Sequence, residues 1–240
     1  MLPKIDAPIF ELKLPISKLD ITFRPFLIKE QKILLMAGES AEKDFLYKNI
    51  KQIIKNCLIT EIDVDELSSI DIEYFFLHLR AKSVGEIVET KYKCENHIEE
   101  KGDVCGNLMN VEYNILDTEV EMNGYNDIIQ LTDTVGLKMK LPTYDVIEKN
   151  INNLNSDDII FSIIKGSIEY IYDEDNMYYI KDTTPQELDE FIDSLSVVQL
   201  KKIREFFEHI PSLKKEFKVT CSACGFEHNI TIKGIVNFFG

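Results

Sequence analysis

Apolar positions along this chain recur with two different periods, and the places where the period changes mark its organisation. The pieces "FELKLP" and "DITFRPFL" read as extended, and Pro3, Pro8, Pro15 and Pro25 keep the opening segment from being helical throughout. A helix is expected in "KEQKILLMAGE". After Ser40 a second helix places Leu46, Ile50, Ile53, Ile54 and Cys57 on one face. A third, in "SIDIEYFFLHLRAKS", places Ile72, Phe75, Phe76 and Leu79 at i, i+3, i+4, i+7 spacing.

The period then drops to two. In "EIVETKYKC", Val88 and Tyr92 alternate with Glu89, Lys91 and Lys93; in "NVEYNI", Val111, Tyr113 and Ile115 alternate with Glu112 and Asn114. Both are half-buried strands. Residues 116–142 read as further strands and loops around "NDIIQLTDT" and "VGLKMKLP". From there to about residue 213 the chain is expected to be mainly helical. "TPQE" and "SVVQ" are capping boxes, with Thr184 and Ser196 as N-caps, Glu187 and Gln199 reaching back, and Pro185 at the first helical position. "FKVTC" and "HNITI" close the chain with two more strands. The expected fold is α+β, helices packed with short antiparallel strands. It forms a single interdigitated unit over 1–240: extended segments and helices (1–85), strands (86–142), a helical part (143–213) and a final hairpin (214–240).

The two strand pairs end in cysteines. A strand runs into Cys94, and Cys105-Gly106 precedes the next strand; a strand runs into Cys221, and Cys224-Gly225 precedes the last one. Two β-hairpins each offering two thiolates to one tetrahedral ion is a zinc-ribbon-like layout, and glycine after the second cysteine permits the tight turn. Cys94, Cys105, Cys221 and Cys224 are therefore the candidate ligands of a structural zinc ion. Ten residues, "ENHIEEKGDV", separate the first pair, where a knuckle has two to four; they read as an insertion looping out of a knuckle. His97, at C-x-x-H spacing from Cys94, is a rival ligand, and His228 is another. Four thiolates close the coordination shell, so such a metal would be a staple and not a catalyst. Cys57, on an apolar helix face, reads as core.

Composition narrows the function classes. The 240 residues are 45% hydrophobic and 29% charged, as in ordinary globular proteins, with a formal charge of −15. That charge repels phosphate backbones, so no nucleic acid is expected as a partner. No apolar run approaches the ~20 residues of a membrane span, and "MLPKIDAPIFELKLP" lacks the apolar stretch of a signal peptide. "DVDE" at 63–66 and "DEDN" at 173–176 read as solvated turns. His78 reads as a packed or rim histidine, and His209 as a helix-end histidine. With no phosphate-cradling or nucleophile motif, the protein is not expected to be an enzyme. Arg24, in "ITFRPFL", and Arg80, in "RAKSVGE", are two of three arginines and read as structural arginines or interface anchors. The rival functional reading is a zinc-ribbon nucleic-acid-binding or regulatory protein.

"LPISKLDITFRPFLIKEQKILLMAGES", the "NCL" at 56–58, "DVDELSSIDIEYFFLHLRAKSVGE", the cysteine strands after them and the C-terminal "CSACG" resemble the baseplate hub family of T4-like contractile-tailed bacteriophages. The resemblance implies a structural or assembly role in the tail baseplate, without catalysis. It implies baseplate hub and tail proteins as partners, the tape-measure protein among the candidates. The expected location is the host cytoplasm during assembly, or the virion tail baseplate.

Overall fold

The computed structural model describes residues 5–38, 43–98, 103–151 and 157–234. Pro3, Ser40 and Gly102 lie outside the described residues, as does the side chain of Leu46. Among the described residues the chain is an α+β protein with seven α-helices and small antiparallel sheets. Strands β1 (Phe10–Lys13) and β2 (Asp20–Phe23) form a hairpin in which Phe10 faces Phe23. The outer edge of β2 is satisfied by the segment after the second helix: Thr22 O accepts from Ile59 N, and Arg24 N donates to Cys57 O. Helices α1 (Ile28–Gly38) and α2 (Lys43–Cys57) follow as expected, and Ile50, Ile53, Ile54 and Cys57 are all essentially inaccessible. "DVDE" is a single 3-10 turn, Val64–Glu66, capped by the Asp63 side chain.

Helix α3 (Ser69–Val84) is the axis on which the rest is mounted. Its predicted face of Ile72, Phe75, Phe76 and Leu79 enters the core formed with β1, β2 and α2. Apolar residues off that face are buried as well: Ile70 enters a second core and Leu77 and Ala81 a third, while Lys82 and Val84 near its end stay exposed. Ser68 caps the helix, its Oγ accepting from Asp71 N at 3.1 Å. Asp71 is itself fully buried and accepts from the N–H groups of Ile16 (2.8 Å) and Ser17 (3.0 Å). A carboxylate in the interior is tolerated when backbone donors saturate it, and here it fastens the opening segment to the start of α3.

After α3 come β3 (Ile87–Lys93), the short pair β4 (His97–Ile98) and β5 (Asp103–Val104), then β6 (Leu108–Asn114) and β7 (Glu119–Glu121). Strands β8 (Ile128–Gln130) and β9 (Gly136–Met139) begin a four-stranded sheet, and helices α4 (Tyr144–Ile151) and α5 (Asp157–Ser167) follow. The stretch after α5 departs from the helical expectation. Strands β10 (Ile168–Tyr172) and β11 (Met177–Tyr179) complete that sheet in the order β11-β10-β9-β8. "DEDN" is their turn, with Asp173 Oδ1 accepting from Asp175 N and Asn176 N. The β-branched and aromatic residues that make up four of the five positions of "IEYIY" favour a pleated strand over another helix. Gly136 permits this sheet locally, because the Tyr172 ring lies where its side chain would be.

Helices α6 (Pro185–Asp193) and α7 (Val197–Glu208) begin with both expected capping boxes and cover the sheet through Leu188, Phe191, Ile203 and Phe206. Strands β12 (Ser212–Thr220) and β13 (Glu227–Lys233) finish the chain, β12 lying between β13 and β7. Lys51 of α2 bridges Asp65 (2.7 Å) and Asp145 of α4, and Ser69 N donates to Pro142 O, so the central segment is held to the N-terminal helices.

Candidate metal centre

Two hairpins carry the thiols. β3 pairs with β6 from Ile87↔Asn114 to Lys93↔Leu108, and β12 pairs with β13 from Lys214↔Lys233 to Thr220↔Glu227. Alternation puts Val88, Val111 and Tyr113 of the first and Leu213, Phe217 and Ile232 of the second into a common core with Leu77 and Ala81. The Tyr113 and Phe217 rings stack across it with centroids 5.4 Å apart. This apolar face sets the two hairpins side by side, and their tips then meet.

The tips close with the same hydrogen bonds. In one, Cys94 N donates to Asn107 O (2.8 Å) and Gly106 N to Cys94 O (3.0 Å); in the other, Cys221 N donates to Phe226 O (2.8 Å) and Gly225 N to Cys221 O (2.8 Å). Gly106 and Gly225 have φ of 67° and 73°, the left-handed region that suits glycine. Cys94 corresponds to Cys221 and Cys105 to Cys224. Within the extra residues of the first tip β4 pairs with β5, His97 facing Val104, and Cys105 N donates to Asn96 O at 2.8 Å across the base of that pair. With 97–104 looped out, "CEN" and "CG" form the same frame as "CSACG".

The four Sγ atoms lie within 4.8 Å of one another, with Cys94 to Cys224 at 3.7 Å and Cys105 to Cys221 at 3.9 Å. All are free thiols. A tetrahedral ion with Zn–S bonds of about 2.3 Å places its sulfurs about 3.8 Å apart, so the four cysteines lie close enough to hold a metal ion. Cys94 and Cys221 are buried, and Cys105 and Cys224 are partly exposed. Burial opposes ionisation of Cys221, but N–H groups of Cys224 and Ala223 and the Asn107 amide outweigh it and hold the thiol down at about 6. Burial, together with the crowding sulfurs, pushes Cys94 up to about 12. Four thiolates this close need a cation between them before all can ionise. Asn107 Nδ2 lies 3.5 Å from Cys221 Sγ, and Asn96 Nδ2 lies 3.6 Å from Cys224 Sγ, so the first tip supplies amide donors to the sulfurs of the second.

The histidines take other places. His97 is exposed on β4, outside the four-sulfur cluster. His228 is buried on β13 with Nε2 3.1 Å from Cys94 Sγ, its ring edge-on to Tyr92 and Phe226. His78 lies against Tyr74, and burial beside Lys82 holds it down at about 4. His209 caps α7, with Nδ1 2.7 Å from Glu205 O. Cys57 is remote in role: burial raises its thiol to about 11 in the first core.

The arginines serve helix junctions. Arg24 pairs with fully buried Glu30 at 3.0 Å and donates to Asn56 O and Pro25 O, tying the entry of α1 to the end of α2. Arg80 donates to Gly85 O at the end of α3. Sequence reasoning missed Asn96, Asn107, Asp71 and Glu30. Asn96 becomes recognisable as the residue before a thiol once 97–104 is removed from the spacing. Asp71 stands three residues after Ser68, a capping arrangement that marks it without revealing its burial.

Among the described residues no helix is long and apolar enough to cross a membrane. An α+β body carrying two matched strand-turn-strand tips with converging thiols defines the class: a protein with a cross-linkable four-cysteine cluster. Residues 7–240 match the family model described as T4 bacteriophage base plate protein, and the chain belongs to that family. No curated protein and no solved structure matches it.

Proposed function

We propose that the chain is a structural or assembly component of the baseplate hub of a contractile phage tail. It acts through protein contacts, on a frame stapled by one zinc ion bound to Cys94, Cys105, Cys221 and Cys224 in a zinc-ribbon-like arrangement. The family supports the baseplate role. The observation that carries the staple is the convergence of two thiols from each of two tips, 116 to 130 positions apart in sequence, at separations suited to a tetrahedral ion. A four-sulfur shell leaves no open position for substrate or water, so the ion supplies folding energy and no chemistry. His228 stands behind Cys94 as a hydrogen-bond partner of a ligand, the usual outer arrangement that orients thiolates.

The single interdigitated unit follows from the same staple, which ties the region before the central sheet to the last hairpin. The partners would be hub and tail proteins, with the tape-measure protein among them, met first in the host cytoplasm. Mass spectrometry of purified tails and of hub precursors tests the assignment. The chain is expected in the precursors; its presence in finished tails as well would make it a built-in hub subunit. Absence from both contradicts the proposal.

A further inference from the structure

One edge of the four-stranded sheet is β11, which is short, at three residues, but carries no charged side chain of its own. β11 reads Met-Tyr-Tyr, without lysine, proline or bulge, and Met177, Tyr178 and Tyr179 are 60%, 45% and 40% exposed. Asp173 N donates to Asn176 O, so alternation turns the Tyr178 backbone toward Ile171 and the Met177 N–H and C=O toward the open side. Beside this edge, between the sheet and α6, lies a groove of about 320 Å³ floored by Val135, Ile171, Ile180, Leu188 and Phe191. That is room for one or two large apolar side chains.

Charge selects the occupant. Residues 169–193 hold nine carboxylates and one lysine, a formal −8 of the chain's −15. Asp173 and Glu187 stand on the groove itself. Hydrogen bonds from the Asp175 N–H and the Tyr178 hydroxyl, and from Thr184 N–H, hold both carboxyls below the ordinary range, so they are ionised at neutral pH. The one lysine, Lys181, lies over the Tyr179 ring. An apolar floor inside a rim of one sign is suited to an apolar anchor flanked by opposite charges.

We propose that β11 and the groove beside it dock an extended, basic segment of another tail protein, which adds a strand to the edge and buries an apolar side chain in the part of the groove lined by Tyr178, Ile180 and Leu188. Strand addition supplies the main-chain bonds, and the groove and its acidic rim supply selectivity. The inference rests on the baseplate reading for the source of the partner only.

Benzoylphenylalanine placed at Met177 in the full chain during tail assembly, followed by peptide mapping of photo-cross-links, tests it. The expected product joins Met177 to a segment of a different tail protein that has more Lys and Arg than Asp and Glu, with an apolar residue among them. Reversing the charge of the adjoining β10–β11 turn with Glu174→Lys and Asp175→Lys, both exposed and outside the groove lining, should cut cross-link yield by about tenfold while leaving the melting temperature unchanged. Cross-linking to an acidic segment, to nucleic acid or to a second copy of this chain overturns the proposal. So does an unaltered yield after charge reversal, or no cross-link in a chain recovered from tails or precursors. Each of these leaves the baseplate reading intact. A chain found in neither tails nor precursors sinks that reading, and the groove proposal falls with it.

Discussion

Arg24 and Glu30 show how a single charged pair organises the opening of the protein. The Glu30 side chain has no solvent access, while its partner keeps about a fifth of its surface, at 19%. Burial pushes the Glu30 carboxyl up, but the Arg24 guanidinium and the Leu27 N–H outweigh it and hold it below the ordinary range. Glu30 therefore contributes stability above the ordinary glutamate range, which is lost as pH falls through the depressed value. Arg24→Ala would strand a buried carboxylate. The expected cost is about 3 kcal/mol by chemical denaturation near pH 7, the low end for a buried pair because the guanidinium is partly exposed. That cost should shrink toward pH 4, because the carboxyl left without Arg24 can then be neutral while the unfolded state also takes up its proton. A loss that is small at neutral pH, or that grows in acid, contradicts this account. Arginine between aromatic residues was legible as a structural feature; its buried partner was not, because burial of Glu30 depends on α2 returning beside it. Asp71 escaped for the same reason, its donors being 54 and 55 residues away.

Elements were legible where pattern and turn chemistry agreed. Both capping boxes stand where "TPQE" and "SVVQ" put them, and the alternation in "EIVETKYKC" and "NVEYNI" became β3 and β6. β10 and β11 were hidden between helices because five- and three-residue strands give little periodicity, although the "DEDN" between them read as the turn it is. The reading of α3 caught one face and missed the apolar residues on the others, which only a three-sided environment explains. At the thiol tips the Cys-Gly pairs were informative, whereas the ten-residue gap concealed how closely the tips match. Since Asn96 and Cys105 already meet across the base of the insertion, deleting 97–104 should leave a "CENCG" tip that keeps the fold and the metal content of the full chain. Far-UV circular dichroism and metal analysis of the deletion check this; loss of metal in a folded deletion would show that His97 or its neighbours are needed.

At the scale of the whole molecule, three cores meet on α3, and the third leads outward to the thiol cluster. A bond between positions 94 and 224 closes a loop containing the central sheet and four helices, so it removes far more freedom from the unfolded chain than a local clip would. The −15 charge is concentrated, with more than half of it in 169–193, the stretch that carries β11 and α6. The proposed staple requires that the cluster bind an ion that holds the fold and does no chemistry. Native mass spectrometry of the purified chain, with and without a chelator and beside a Cys221→Ser variant, tests that most directly. The expected result is one zinc ion per chain, with zinc and compact charge states lost together on chelation and in the variant. A compact, metal-free chain that neither the chelator nor the substitution disturbs would contradict it.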